Sequence, residues 1–434
     1  MILPARRGFQ LLTLNLGLAL LASFVPALLP LWLGVLGLSV LTGVLDAFRS
    51  FRLTLPLTRH MPQSLPLGVT RQVQLRLDND TQQARTVWVH DHAPAQLQTE
   101  GLPLKLSIPP GSWAMPVYGI RALERGRLQF HTCQLRLLSH WGLWWIDRKV
   151  PLETELRVYP NFSAVAQYAL MATDNHLSHL GIMKRRRRGE GQDFHQLREY
   201  RAGDSLRQID WKASSRMGKT IAREYQDERD QEIILLLDCG HRMLARDGEL
   251  SHFDHTLNAM LLLSHIALRQ GDAVGLLAFA GEQRWLQPRK GQYHLNQMLN
   301  AVYELQARPQ APDFSQAATE LLVRQKKRAL VIVLSNLRDE DTDDLLPALH
   351  LLRKRHLVLF ASLREQILDQ TLAAPVDNLE DALNHAATTH YLETRDRTLE
   401  SLRASHILCL DVPPDQLSTR LINHYLDIKR SGSL

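Results

Sequence analysis

The segment that comes nearest to a nucleotide-binding motif is ASSRMGKT, from Ala213 to Thr220, which satisfies a loose form of the phosphate-loop pattern. A phosphate loop follows a buried strand and opens a helix, so that its backbone amides converge on the phosphates. The preceding residues, SLRQIDWK, alternate charged and bulky side chains and are a poor buried strand, and Ala213 stands where a glycine is usual. The sequence therefore disfavours nucleotide binding here.

Histidines stand close together at three places, which are His90-Asp91-His92, His176 with His179, and His252 with His255. Histidines three residues apart share one face of a helix, but neither pair has a third ligand at a known spacing. We therefore expect surface or capping roles for the pairs, and a turn at a strand end for His90-Asp91-His92. No nucleophile elbow, HExxH motif or Cys-His pair at a recognisable spacing is present, so the sequence offers no catalytic constellation.

A basic run, KRRRR, extends from Lys184 to Arg188. Three interpretations remain open for it: a solvated or protein-contacting loop, a stripe held against anionic lipid, and a nucleic-acid contact. Each cation near an anionic membrane surface is worth about 1 kcal/mol, which makes lipid contact plausible in an anchored chain. Nucleic-acid binding is the least favoured, because neither interleaved aromatic residues nor a recognition fold is visible.

Composition sets broad limits on the class of protein. With 434 residues, 45% apolar and 22% charged, the chain is long enough for two or three domains with cores of their own, and disorder is not expected. The formal charge of +6 does not by itself indicate a nucleic-acid partner. The three cysteines, Cys133, Cys239 and Cys409, match no metal or disulfide spacing, which fits a reducing compartment.

A stretch without any charge extends from residue 8 to residue 45. As one helix it would be about 57 Å long, nearly twice the roughly 30 Å hydrocarbon core of a bilayer. Pro26 and Pro30 favour a turn between two spans, predicted at residues 8–25 and 31–45. Flanking arginines (Arg6, Arg7, Arg49, Arg52 and Arg59) place both ends in the cytoplasm, and the second apolar run disfavours a cleaved signal peptide.

The rest of the chain shows two different patterns. Residues 51–160 contain short alternating runs broken by turn residues, which predicts an antiparallel, immunoglobulin-like β-sandwich. Beyond residue 230, apolar runs alternate with helical stretches, which predicts a parallel sheet covered on both faces. Ligands usually bind beyond the carboxyl ends of such strands, where Asp238, Ser335, Asn336 and Asp411 stand.

The stretch from Gly189 to Asp238, GEGQDFHQLREYRAGDSLRQIDWKASSR followed by a strand that ends in an acid, resembles the bacterial "domain of unknown function 58" family. SHWGLWW at residues 139–145 is similar to a turn that family members carry ahead of the motif, through Gly142 and Leu143. The resemblance implies a transmembrane hairpin (1–50), a β-sandwich domain (51–160), a bridging motif segment (161–230) and a von Willebrand factor A-like doubly wound α/β domain (231–434). It also accounts for ASSRMGKT as family sequence.

Von Willebrand A domains often carry a metal-ion-dependent adhesion site, which needs hard oxygen ligands for magnesium. Carried over to this chain, the resemblance keeps Asp238 but places Gly240 and Arg242 at the two hydroxyl positions. Pro312 precedes Asp313 where a threonine is expected, and Asn336 replaces the final acid. One carboxylate cannot readily hold a hydrated divalent ion, and the Arg242 guanidinium could replace its charge. We therefore expect a degenerate site without metal or other cofactor.

The resemblance favours a membrane-anchored cytoplasmic scaffold or adaptor at the bacterial inner membrane, which is not an enzyme and works with a MoxR-type AAA+ ATPase on the assembly or activation of other proteins. The alternative is a metal-assisted hydrolase or transferase that uses the carboxyl-end crevice. The motif residues are expected to form an ordered charged bridge between the domains, with a structural role favoured over direct partner contact; they are Glu190, Arg198, Tyr200, Arg201, Asp204, Arg207, Asp210 and Trp211.

Overall fold

The computed structural model describes residues 2–161, 193–201, 206, 209–226, 231–338 and 342–432. Three of the motif residues (Glu190, Asp204 and Arg207), the His176 and His179 pair and the basic run from Lys184 to Arg188 lie outside these residues. The chain divides into two compact units, Met1–Tyr159 and Pro160–Leu434.

The first unit begins with two apolar helices, α1 (Arg6–Phe24) and α2 (Leu29–Phe51), joined by a short turn at Pro26–Leu28. Both are long and apolar enough to cross a membrane, and most of their large apolar side chains are exposed. The two predicted spans are confirmed as helices, and the turn predicted at the prolines is confirmed between them. The second helix runs six residues beyond the predicted end at residue 45 and so carries Asp46 and Ser50.

Two mostly antiparallel sheets follow the helices, and alternate residues of their strands are buried, as the alternating sequence pattern predicts. One sheet has the strand order β1-β11-β10-β5-β7, with β3 beside β11, and the other has the order β2-β4-β9-β6, with β8 beside β4. The strands are β1 (Ile2–Pro4), β2 (Leu57–His60), β3 (Ser64–Pro66), β4 (Thr70–Asn79), β5 (Arg85–Asp91), β6 (Leu97–Glu100), β7 (Leu104–Ile108), β8 (Ser112–Ala114), β9 (Val117–Ala122), β10 (Gly126–Leu138) and β11 (Trp144–Tyr159).

Asp46 joins the second helix to the turn between β10 and β11. Its carboxylate is fully buried and accepts hydrogen bonds from the Ser139 hydroxyl at 2.6 Å and from the Trp141 amide at 3.0 Å. The Trp144 indole donates to the Gly43 carbonyl at 2.9 Å. A buried carboxylate is tolerated only where such donors replace its water, so the SHWGLWW turn fixes the helical hairpin to the sheet.

A second contact reinforces this junction from the amino-terminal side. Strand β1 pairs with β11, and the Ala5 amide donates to the Leu143 carbonyl at 2.8 Å. A Cβ on Gly8 would lie 2.5 Å from that carbonyl oxygen, so only glycine lets α1 come this close. Sequence reasoning missed β1, because three residues before an apolar helix give no strand signal.

Arg59 is not a cation at a membrane surface, and its use as a flanking charge is wrong. Its side chain is fully buried and forms a bidentate ion pair with Asp91, with N···O distances of 2.5 and 2.8 Å. Tyr118 donates a further hydrogen bond to Asp91 at 2.6 Å. Asp91 therefore neutralises a buried arginine inside the β-rich unit. Arg6, Arg7, Arg49 and Arg52 remain exposed.

In the second unit, strands β12 (Asp193–Glu199) and β13 (Ile221–Gln226) form an antiparallel pair, and helix α3 (Trp211–Met217) lies between them in the chain. A mixed sheet follows, with the order β18-β17-β14-β19-β20-β21. Its strands are β14 (Glu232–Asp238), β17 (Ala273–Phe279), β18 (Arg284–Arg289), β19 (Leu330–Ser335), β20 (Leu357–Leu363) and β21 (Leu408–Val412), while β15 (Arg246–Asp247) and β16 (Leu250–Ser251) form a small separate pair. Only β18 is antiparallel to its neighbour, and this edge strand was not predicted.

Helices cover both faces of the mixed sheet, as the continuous apolar strands predict. One core contains α4 (His252–Arg269), α5 (Gln292–Val302) and α10 (Leu417–Ser431), and the other contains α6 (Phe314–Arg324), α7 (Thr342–Arg353) and α9 (Leu379–Ala404). A short helix, α8 (Gln366–Ala373), precedes α9. The four central strands, β14, β17, β19 and β20, are almost wholly buried, so only their ends can present polar groups to a ligand or a partner.

We expect Asp46→Ala to loosen the junction between the hairpin and the β-rich sheets. The buried Ser139 hydroxyl and the Trp141 amide would lose their acceptor, and a buried donor left without an acceptor costs about 1–3 kcal/mol. The measurement is the unfolding temperature of the full chain in detergent. Thr42→Ala is the matched control, because the Thr42 hydroxyl bonds only carbonyls of its own helix. Equal unfolding temperatures for the two variants would contradict this role of Asp46.

Candidate functional site

The candidate site lies at the carboxyl edge of the mixed sheet, between β14 and β19. The chain leaves β14 towards β17 on one side, and later returns to form β19 on the other side. This reversal of strand order creates the crevice in which open α/β sheets usually bind ligands. Asp238 ends β14, while Ser335 ends β19 and Asn336 follows it, and all three are fully buried.

Asp238 is held by donors from its own domain. Its carboxylate accepts hydrogen bonds from the Ser335 hydroxyl at 2.6 Å and from the Gly240 amide at 2.7 Å. Burial raises the pKa of this carboxyl, while these two hydrogen bonds and the charge of Arg242 act in the opposite direction. Each carboxylate oxygen thus accepts one hydrogen bond from its own domain, and the side chain is closed to solvent.

The loop before α6 covers Asp238. Backbone hydrogen bonds tie it down, from the His241 amide to the Gln310 carbonyl at 2.9 Å and from the Arg308 amide to the Cys239 carbonyl at 2.8 Å. A Cβ on Gly240 would lie 2.8 Å from the Gln310 oxygen and 3.3 Å from Pro312. The serine of an adhesion-site motif would therefore not fit at position 240 unless this loop moved.

Arg242 occupies the interior beside this loop. The residue is fully buried, and its Nη1 donates to the Asn336 carbonyl at 3.3 Å. Its positive charge lowers the pKa of Asp238 against the effect of burial. The guanidinium thus adds positive charge to the surroundings of Asp238, and its replacement of a metal ion's charge stays a prediction.

Arg395, on α9, is the residue at this edge that sequence reasoning missed. Its guanidinium is buried and forms a bidentate pair with Asp411 at 2.6 and 3.2 Å. It also donates to Asn336 Oδ1 at 3.2 Å, to Ser362 Oγ at 2.6 Å and to the Leu363 and Leu337 carbonyls. Burial disfavours the charge, yet the hydrogen bond and charge of Asp411 raise the pKa of Arg395 above its ordinary value.

A signal for Arg395 is present in the sequence. The residues that α9 buries are Arg395, Thr398, Leu399 and Leu402, so the arginine lies on the apolar stripe, one helical turn from Leu399. An arginine at an apolar position of a helix implies a buried acceptor. The ends of β19, β20 and β21 supply the acceptors here. That these three ends meet at Arg395 cannot be predicted from the helical spacing alone.

The remaining candidates for ligation are also engaged. Asn336 Nδ2 donates to Glu365 at 2.7 Å, and Asp313 caps α6 by accepting from the Gln316 amide at 2.7 Å. His252 pairs with Asp247 at 2.9 Å. Among the residues that the structure describes, no three His, Cys, Asp or Glu side chains lie together as a metal-binding group. Beside the covering loop, a polar pocket of about 360 Å³ opens next to Asp313.

The described motif residues separate into structural and exposed groups. Asp210 caps α3 through the Ala213 amide at 3.0 Å and pairs with Arg223 at 2.8 Å, and these contacts lower the pKa of Asp210. Trp211, in contrast, is 72% exposed. Arg198, Tyr200 and Arg201 lie at the end of β12 or directly after it. These five residues lie in β12, in α3 or in the chain between them, and none of them is among the hydrogen-bond partners described at the carboxyl edge.

ASSRMGKT does not have the geometry of a phosphate loop. Residues 213–217 lie inside α3, and Gly218 ends that helix with a φ of +62°. A phosphate loop has the opposite order, with its glycines before the helix, so that the helix amino terminus meets the phosphates. The segment therefore presents no amide cradle.

We expect the carboxyl edge to bind no divalent metal, because its oxygens are engaged and its serine positions are closed. Calorimetric titration of the full chain in detergent with magnesium or manganese chloride should give no saturable heat. Gly240→Ser should add no binding and should cost about 1–3 kcal/mol of stability through overpacking. Saturable heat that Asp238→Ala abolishes would refute this expectation.

Arg395→Met should destabilise the second unit by about 3–5 kcal/mol, because it leaves the Asp411 carboxylate buried without its partner. Arg395→Lys should recover only part of this loss, since an ammonium group cannot form the bidentate pair. Thermal unfolding with Arg397→Met as control measures the effect, because Arg397 lies on the same helix and is exposed. Similar stabilities for the two methionine variants would refute the role of Arg395.

Comparisons with known proteins bear on the second unit above all. Residues 196–405 match the model of the family described as "Protein of unknown function DUF58". A relative from Bacillus subtilis (strain 168), "Uncharacterized protein YeaD", is 23% identical over 190 residues, which are 42% of this chain and 43% of the relative. The match thus spans less than half of the relative's length.

Solved structures share only limited likeness with the chain. A FixG-related protein from Vibrio parahaemolyticus is 16% identical, with a TM-score of 0.18, over 24% of this chain and 94% of that one. Alpha-2-macroglobulin from Escherichia coli is 18% identical, with a TM-score of 0.21, over 24% of this chain and 17% of that one. Likenesses of this size carry no argument about function. The resemblance seen in the sequence is confirmed over residues 196–405, which match the model of the family described as protein of unknown function DUF58.

Proposed function

We propose that the chain is a membrane-anchored scaffold or adaptor that binds other proteins and does not catalyse a reaction. The observation that carries this proposal is the state of the carboxyl edge. Asp238, Asn336 and Asp411 are each engaged by donors of the same domain, and the loop before α6 covers the crevice. A catalytic or metal site built on these three residues would need at least one of them directed at an open space.

The proposal includes a finer description of both units. The strand order of the mixed sheet, with helices on both faces, is compatible with a doubly wound, von Willebrand factor A-like domain. The two sheets of the first unit, with inward-facing alternate residues, are compatible with an immunoglobulin-like sandwich. Von Willebrand A-like domains commonly serve protein binding, and this favours an interaction role for the second unit.

The proposed location is the bacterial inner membrane, with the body of the chain in the cytoplasm. Arg6 and Arg7 precede or begin the first helix, and Arg49 and Arg52 close the second, all of them exposed. Arginines at these two ends favour retention of both ends in the cytoplasm. Without the buried Arg59, two arginines still flank each end of the helical hairpin, so the proposed orientation is unchanged.

The proposed partner is a MoxR-type AAA+ ATPase, as the family resemblance implies, in the assembly or activation of other protein complexes. Exposed apolar side chains in the second unit provide surfaces for such contacts. Trp211 and Met217 on α3 are 72% and 64% exposed, and aromatic residues and methionine are enriched in protein interfaces. A metal-assisted hydrolase would instead require the carboxyl edge to open, and no contact described there favours this.

The test is co-purification from native membranes after mild cross-linking. We expect a MoxR-type ATPase to be recovered with the full chain, and Trp211→Ser to change its yield more than Trp113→Ser. Trp113 is a suitable control, because it is 57% exposed but lies in the first unit. Recovery of no AAA+ ATPase and no other stable protein partner would overturn the proposal.

A further inference from the structure

The amino-terminal part of α9, together with α8, adds no fully buried residue to the core of the second unit, although the Tyr391 hydroxyl donates to the Leu337 carbonyl at 3.3 Å. All four residues that α9 buries lie at positions 395–402, and α8 buries none. The first 16 residues of α9 therefore extend about 24 Å, at 1.5 Å per residue, without a buried side chain. A helix of this length gains most of its stability from packing, so a long helical stretch without buried residues needs another explanation.

Exposed apolar side chains are concentrated at the start of α9 and in the segment before it. Leu379 is 76% exposed and Leu383 is 62% exposed, and their spacing of four residues places them on one helical face. Val376 and Ile367, at 52% and 58%, lie close to them in sequence. Burying one leucine is worth about 1.5–3 kcal/mol, so a partner that covers this face would gain substantial free energy.

This part of the chain, from α8 through the first 16 residues of α9, is acidic, although the chain as a whole carries a charge of +6. Residues 366–394 contain five acids and neither lysine nor arginine, a formal charge of −5. Asp369 and Glu393 pair with arginines just outside this segment. Among the described residues, no cation pairs with the other three acids, Asp377, Glu380 and Asp381, and these flank Leu379.

We propose that this surface, the acidic tip (Val376, Asp377, Leu379, Glu380, Asp381 and Leu383), inserts its apolar residues into an apolar cleft bordered by lysine or arginine on a partner protein. Opposite charges around an apolar contact orient the two proteins and accelerate their association. The proposal rests on the scaffold function above and assigns it a further partner-binding surface, besides the exposed residues of α3. It does not depend on the identity of the partner.

The chemistry of the acidic tip selects a protein partner. An anionic lipid surface would repel Asp377 and Glu380, and the phosphates of a nucleic acid would do the same. Arg395 also contributes, because its buried contacts with Asp411 and Ser362 fix the base of α9. A helix held in this way presents its leucines in a defined orientation, which lowers the entropic cost of binding.

The test uses the full chain in nanodiscs of phosphatidylcholine and a purified MoxR-type ATPase as the probe, with affinity measured over a range of salt concentrations. Leu379→Ser with Leu383→Ser, and Asp377→Lys with Glu380→Lys, should each weaken binding at least about tenfold, since a central apolar anchor contributes at least this much. Controls are Val323→Ser, at a site that is 65% exposed on α6, and Glu400→Lys on the same helix. These should change the affinity less than about twofold.

Photo-cross-linking in native membranes provides a second arm that does not require the ATPase. A photoreactive residue at position 379 should label a protein segment that contains lysine or arginine, and Asp377→Lys with Glu380→Lys should abolish the labelling. The same residue at position 323 is the control. Labelling of lipid, or of the same proteins from both positions, would overturn the proposal.

The outcomes separate this inference from the proposed function. If the ATPase binds and the tip variants bind equally well, the acidic tip is not the binding surface, while the scaffold function stands. If the ATPase does not bind but position 379 labels a basic protein segment specifically, the ATPase is the wrong partner and the acidic tip is supported. If neither arm detects a protein at the tip, the inference is wrong.

Discussion

The buried guanidinium of Arg395 organises the carboxyl edge of the second unit. It links the ends of three neighbouring strands through Asn336 and Leu337 after β19, Ser362 and Leu363 in β20, and Asp411 in β21. A charge at this depth is stable only while its partners saturate it. The edge is therefore a fixed set of contacts within the protein and has little capacity to rearrange around a small ligand.

This constraint has consequences for both sides of the edge. Towards the crevice, Asp238 is covered by the loop before α6 and satisfied by Ser335 and Gly240. Towards the solvent, the same arginine anchors α9 and leaves its first 16 residues without buried side chains. Rigid elements that end in exposed apolar residues suit recognition of other proteins. The first unit follows a similar principle, because buried Asp46 fixes the apolar hairpin to the β-rich sheets.

Sequence patterns predicted the elements of this protein better than its contacts. The charge-free stretch predicted two helices, and continuous apolar runs predicted the strands of the mixed sheet, because burial leaves a direct trace in hydrophobicity. The antiparallel edge strand β18 escaped prediction, since RWLQPR has mixed polarity and contains a proline. Polar residues were harder to assign. Arg59 resembled a membrane-flanking cation and Asp91 resembled a turn residue at a strand end, yet they neutralise each other. That pairing joins residues 32 positions apart, beyond any local pattern.

The central claim is that the crevice between β14 and β19 is closed and that partners bind elsewhere on the second unit. Hydrogen–deuterium exchange on the full chain in nanodiscs tests it most directly, with a purified MoxR-type ATPase and, separately, with magnesium chloride. The account predicts slow exchange at the ends of β14 and β19 in every condition, with new protection confined to exposed surfaces such as residues 366–394 when the ATPase is present. Fast exchange at those strand ends that magnesium slows, without any ATPase-dependent protection, would contradict it.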